Sequence, residues 1–87
     1  MKEIPEDTAV IIIDHGSRST AANEMLKEVA SFYKDYSNAK IVEYAHMELA
    51  EPTLIQAFGK CVEQGAKHVI VSQFFLSPGR HLSLIHI

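Results

Sequence analysis

Three runs of apolar, β-branched sequence alternate with two segments in which apolar residues recur every three or four positions. Thr8 to Ile13 is an unbroken run of this kind, the composition of a central parallel strand covered on both faces. From about Thr20 to Tyr36, residues Ala22, Met25, Leu26, Val29, Tyr33 and Tyr36 share one helical face; Ser19 or Thr20 can cap its start, and Asn38 suits its stop. Ile41 to Ala45 reads as a second strand, interrupted by Glu43, which points to an edge position. A second helix is predicted over Pro52 to Gln64, with Pro52 in its first turn, Glu51 at the positive end of its dipole and Gly65 as a left-handed cap. His68 to Phe74 is the third strand, and Ser77-Pro78-Gly79 breaks the apolar run that continues to Leu76.

The order β-α-β-α-β with right-handed crossovers makes an α/β domain with a parallel sheet, spatial order 2-1-3. Residues 1–87 form a single domain, short for this class. No fourth strand is expected after the third, which would leave its apolar outer edge bare, a liability that proteins normally cover. The domain therefore reads as truncated after its third strand, with the tail 82–87 atypical and the missing flank absent or supplied by a partner.

Charge narrows the partners. A formal net charge of −3 argues against nucleic acid or an anionic membrane, either of which would need a basic stripe. No apolar run approaches the length that spans a bilayer, and Glu3, Glu6 and Asp7 are unlike a signal or transit peptide, so the cytoplasm is the expected compartment. Cys61 stands alone, which excludes an intrachain disulfide or a cysteine cluster; sharing a helical face with Leu54 and Phe58, it reads as a buried, inert thiol.

Candidate chemistry gathers at the strand ends. Asp14-His15-Gly16-Ser17-Arg18 follows the first strand and Pro78-Gly79-Arg80-His81 follows the third. Ligands of open parallel sheets bind outside the carboxyl ends of the strands, where the strand order reverses. With strands one and three as neighbours, His15 and His81 face one place. Two imidazoles suit a divalent metal.

Together with Ala45-His46-Met47-Glu48-Leu49-Ala50-Glu51-Pro52 and Phe74-Phe75-Leu76-Ser77, these motifs resemble the small sirohydrochlorin chelatases, the class II enzymes that insert cobalt or iron in cobalamin and sirohaem synthesis. The similarity covers about residues 8–81. It implies a three-layer α-β-α, chelatase-like (flavodoxin-like) fold, His15 and His81 as the metal-binding pair, and a homodimer. It also implies a carboxylate-rich tetrapyrrole as substrate, with Co²⁺ or Fe²⁺, and Ni²⁺ as a further candidate, as the second substrate and no organic cofactor. Beyond His81 such domains are expected to continue through an aromatic and acidic segment, another helix and a further strand, whereas this chain ends Leu82-Ser83-Leu84-Ile85-His86-Ile87.

On that resemblance Glu48 is the candidate proton acceptor, because a carboxylate in a partly desolvated cleft can titrate in the working range; an ordinary loop carboxylate is the competing reading. Arg18 and Arg80 are natural clamps for substrate carboxylates, or solvated loop arginines, and Ser17 with the first amides of the first helix can also bind a carboxylate. His46 lines the site or turns its ring into the core, and Glu51 lines the site or serves the helix start. His68, at the opposite end of the third strand, reads as a surface residue. The rival functions are a non-enzymatic metal or tetrapyrrole carrier using the same loops and, less favoured, a histidine phosphatase, against which Asp14 counts because it would repel phosphate. A nucleotide-binding module lacks both G-x-G-x-x-G and G-x-x-x-x-G-K-[ST].

Overall fold

A computed structural model describes residues 4–74 and the backbone of 84–86. Strand β1 (Thr8–Asp14) lies between two parallel neighbours, β2 (Ile41–His46) and β3 (His68–Gln73). The register is regular: Ala9 pairs with Ile41 and Val69, and Ile13 with Ala45 and Gln73. Because β1 is hydrogen-bonded on both edges and covered on both faces, six consecutive residues, Thr8 to Ile13, are buried, as its unbroken apolar run predicts.

The two helices lie on opposite faces. Helix α1 (Thr20–Tyr36) packs Leu26 and Ala30 on Val10 and Ile12, with Val29, Tyr33, Val42, Tyr44 and Phe74 around them. Helix α2 (Leu54–Glu63) packs Ala57 and Cys61 on Ala9, Ile11, Ile13, Ile41, Ala45, Val69 and Val71. The connection β1-α1-β2 steps one way across the sheet and β2-α2-β3 steps back past β1. Crossovers of one hand then place their helices on opposite faces, which gives three layers with the order reversing at β1. The expected order 2-1-3 and the edge position of β2 are both present.

Helix α1 has the predicted limits, with Ser19 as N-cap accepting from the Ala22 amide. Its buried stripe is narrower than expected: Met25 and Tyr36 fall on its flank and are 44% and 74% exposed, Tyr36 stacking on Phe32 at 4.4 Å between ring centroids. Asn38 does not stop the helix, since Ser37 is the C-cap; instead its amide exchanges two hydrogen bonds with the backbone of Ile4. Helix α2 begins later than predicted. Thr53 is the N-cap and Gln56 closes a capping box, so Pro52 lies outside the helix, after a cis Glu51–Pro52 peptide bond. Gly65 has the predicted left-handed conformation, φ 97°.

The expected bare edge of β3 is corrected by a fourth strand. Strand β4 (Leu84–His86) pairs antiparallel with Ile70, Val71 and Ser72, giving the sheet order β2-β1-β3-β4. Residues 74–83 are fewer than a parallel crossover needs, so a strand returning this soon runs antiparallel. Among the described residues no helix is long and apolar enough to cross a membrane.

Candidate functional site

The carboxyl ends of β1 and β2 lead into two loops that are fastened to one another. The ladder that pairs Asp14 with His46 continues beyond the strands: the Met47 amide donates to the Asp14 carbonyl at 2.8 Å and the Glu48 amide to the His15 carbonyl at 3.1 Å. Gly16 makes this approach possible. Its φ is 89°, and a Cβ there would sit 1.8 Å from the Glu48 carbonyl oxygen, so only glycine satisfies both the conformation and the space.

His15 and Glu48 thereby come to stand on adjoining loops, both exposed. Ser17 is held to the start of α1 by Asn23, whose side-chain oxygen accepts from the Ser17 amide at 3.0 Å and whose side-chain amide donates to the Ser17 carbonyl at 2.7 Å. The Ser17 hydroxyl accepts from the Ser19 amide at 3.0 Å, so it is engaged in shaping the loop. Arg18 is exposed beside it.

His46 departs from its expected role as a substrate contact. The ring is 1% exposed, packs edge-on against Tyr44, and places Nδ1 2.6 Å from Asp14 Oδ1. The same oxygen accepts from the Gly16 amide at 2.9 Å. Of the two alternatives left by the sequence, the ring turned inward is the one realised, because its position on the ladder points it to the α1 side of the sheet with Val42 and Tyr44. Glu51 Oε2 accepts from Gln56 Nε2 at 3.1 Å, tying that carboxylate to the start of α2. Arg80 and His81 lie outside the described residues. The Phe74 amide donates to the Ile13 carbonyl at 2.7 Å and extends the β1–β3 pairing by one step.

Asp14 and Asn23 are the residues that sequence reasoning missed. Asp14 was weighed only for its charge, whereas its side chain joins two loops; once a parallel register is assumed, its place opposite His46 follows. Among the described residues no group of three or more His, Cys, Asp or Glu side chains is placed to hold a metal ion. Cys61 is buried, and burial, with the charge of Glu43 adding to it, pushes its thiol up to about 11. At neutral pH it is a packed, protonated thiol.

A doubly wound sheet whose switch point carries a histidine loop fastened to an acidic loop defines an α/β protein with its ligand-binding crevice at the carboxyl ends of the strands. The CbiX family model matches residues 9–85, and the chain belongs to that family. It is 54% identical over 78 residues to the chloroplastic sirohydrochlorin ferrochelatase of Arabidopsis thaliana, covering 90% of this chain and 35% of that protein. It is 42% identical over 73 residues to the sirohydrochlorin cobaltochelatase of Methanocaldococcus jannaschii, covering 84% of this chain and 51% of that protein. The chain thus spans about half or less of these relatives' length. The crystal structure of a CbiX protein from Marinobacter aquaeolei VT8 superposes with a TM-score of 0.68 at 28% identity, covering 83% of this chain and 57% of the other.

Proposed function

We propose that this chain carries the metal-inserting site of a sirohydrochlorin chelatase, a lyase-type enzyme that places Co²⁺ or Fe²⁺ into the tetrapyrrole. The observation that carries the reading is the fastening of the His15 loop to the Glu48 loop at the switch point of the sheet; the names of the relatives supply the substrate class. Insertion replaces two pyrrole N–H bonds by nitrogen–metal bonds and releases two protons. His15, with His81 from the loop after β3, presents the metal through neutral imidazole and leaves positions open for the incoming nitrogens. Glu48 takes the protons one at a time and, being exposed, returns them to solvent. Arg18 and Arg80 grip the substrate carboxylates. The assembly we propose is a homodimer, as the resemblance to the small chelatases implies.

The phosphatase alternative is disfavoured by Asp14, which immediately precedes His15 in the chain and whose carboxylate is bonded to His46 and Gly16. The carrier alternative is separated by turnover. Insertion is followed by absorbance with Co²⁺, Fe²⁺ or Ni²⁺ at fixed concentration, in the full-length protein. His15→Ala and His81→Ala should each lower the rate at least tenfold, on the order expected for losing a metal-ligand interaction. Glu48→Gln should slow insertion while sparing metal binding. Parental rates in both histidine variants would remove the assigned site, and stoichiometric metal retention without transfer would favour the carrier.

A further inference from the structure

We infer that Asp14 and His46 form a positioning couple that sets the His15 loop against the Glu48 loop, an inference that rests on the chelatase reading of His15 and Glu48. His46 cannot touch substrate, because its side chain is 1% exposed. Filling that space needs only an apolar ring or branched chain, so what histidine adds is its bond to Asp14. A carboxylate oxygen accepts, so the shared proton sits on Nδ1. Asp14 Oδ1 then joins two elements at once, the β2 side chain at 2.6 Å and the Gly16 amide at 2.9 Å.

The couple stands at the last register pair of β1 and β2. Immediately beyond it run the two backbone bonds, Met47 to Asp14 and Glu48 to His15, that hold one loop on the other. His46 is fastened from its other side too, its amide donating to the Pro52 carbonyl at 2.8 Å. The ring is thus a side-chain link between the segment that carries Glu48 and the one that carries His15. Without it, the partly buried Asp14 carboxylate loses a partner and the loop pairing opens first at Met47 and Glu48.

The test compares His46→Leu with His46→Asn in the full-length protein. Asparagine keeps an N–H donor close to the place of Nδ1; leucine fills space without one. Amide hydrogen exchange at Met47 and Glu48 should quicken at least tenfold in His46→Leu, with Ile11 to Ile13 unchanged, and return to within threefold of the parent in His46→Asn. In the insertion assay, His46→Leu should lower kcat at least tenfold with KM for Co²⁺ within threefold, and His46→Asn should recover it. The double variant His46→Leu/Glu48→Gln should insert no more slowly than Glu48→Gln alone, because residues acting through one another are not additive. Parental exchange at Met47 and Glu48 in His46→Leu, equal exchange in the Leu and Asn variants, or rate losses that multiply with Glu48→Gln would each overturn the couple. A parent that inserts no metal would instead strike the chelatase reading, and the exchange comparison would still decide the couple.

Discussion

Alanine at Gly16 should cost more stability than alanine at either other described glycine, and the three substitutions separate the reasons. At Gly16 a side chain meets two penalties. The positive φ of 89° costs a non-glycine residue about 1–2 kcal/mol. The new Cβ would also lie 1.8 Å from the Glu48 carbonyl oxygen and 3.2 Å from the His46 Cβ, and a backbone atom cannot swing aside as a flexible side chain can. The loops must part by well over an ångström, which stretches the Met47–Asp14 and Glu48–His15 bonds, at about 1 kcal/mol each. The expected total is about 3–4 kcal/mol, a large share of a typical domain stability of about 5–15 kcal/mol. Gly65 has a similar φ, 97°, with nothing within 4 Å of its Cβ position, so Gly65→Ala carries the conformational cost alone, about 1–2 kcal/mol. Gly59 lies within α2 with nothing within 4 Å, and alanine there should stabilise by about 0.5–1 kcal/mol. Urea unfolding with shared m-values measures all three. If Gly16→Ala is no more destabilising than Gly65→Ala, the loops are not pressed together as described.

Two further results are expected. Cys61 ionises near 9.0 when unperturbed and is pushed up to about 11 in the folded protein. Between these values the unfolded chain gives up a proton that the folded chain keeps, so its contribution is fully present below pH 9 and lost as pH rises through the window. The urea midpoint should therefore fall between pH 8 and pH 10 more steeply in the parent than in Cys61→Ala, and a thiol reagent at pH 8 should react only on addition of denaturant. Ser19→Ala and Thr53→Ala each remove an N-cap acceptor and should each cost about 1 kcal/mol by thermal melting; in Thr53→Ala the reciprocal bond of the capping box survives, because its donor is a main-chain N–H.

What could be read from the sequence was what depends on local pattern. Helix α1 has its predicted ends because a cap and a 3.6-residue stripe coincide at Ser19 and Leu26. The two-sided burial of β1 follows from its lack of polar interruptions, and the single Glu43 marks β2 as an edge. The start of α2 was also written locally, in Thr53 and Gln56 at capping-box spacing, but Pro52 is an equally familiar helix opener and obscured it. Strand β4 is different in kind. Three residues carry no measurable period, and their conformation is decided by the vacant edge of β3, far away in sequence. The Asp14–His46 pair is intermediate: neither residue announces it, yet extending the register of Ala9 with Ile41 by five steps puts them opposite one another.

That register also gives the proposed site a way to be firm without a closed set of ligands. The bonds between the two loops run through main-chain atoms of Asp14, His15, Met47 and Glu48 and through the Asp14 side chain, while the side chains of His15 and Glu48 stand exposed. Rigidity is therefore built into the loop backbones rather than into a closed set of ligands. A cluster of three or four converging donors would lower the energy of the bound metal and raise the barrier to giving it up. On the proposed reading, fixed backbones carrying His15 on one loop and Glu48 on the other avoid that: they would set the metal-presenting group against the proton acceptor, and the strength of metal binding would be left to His15 and His81.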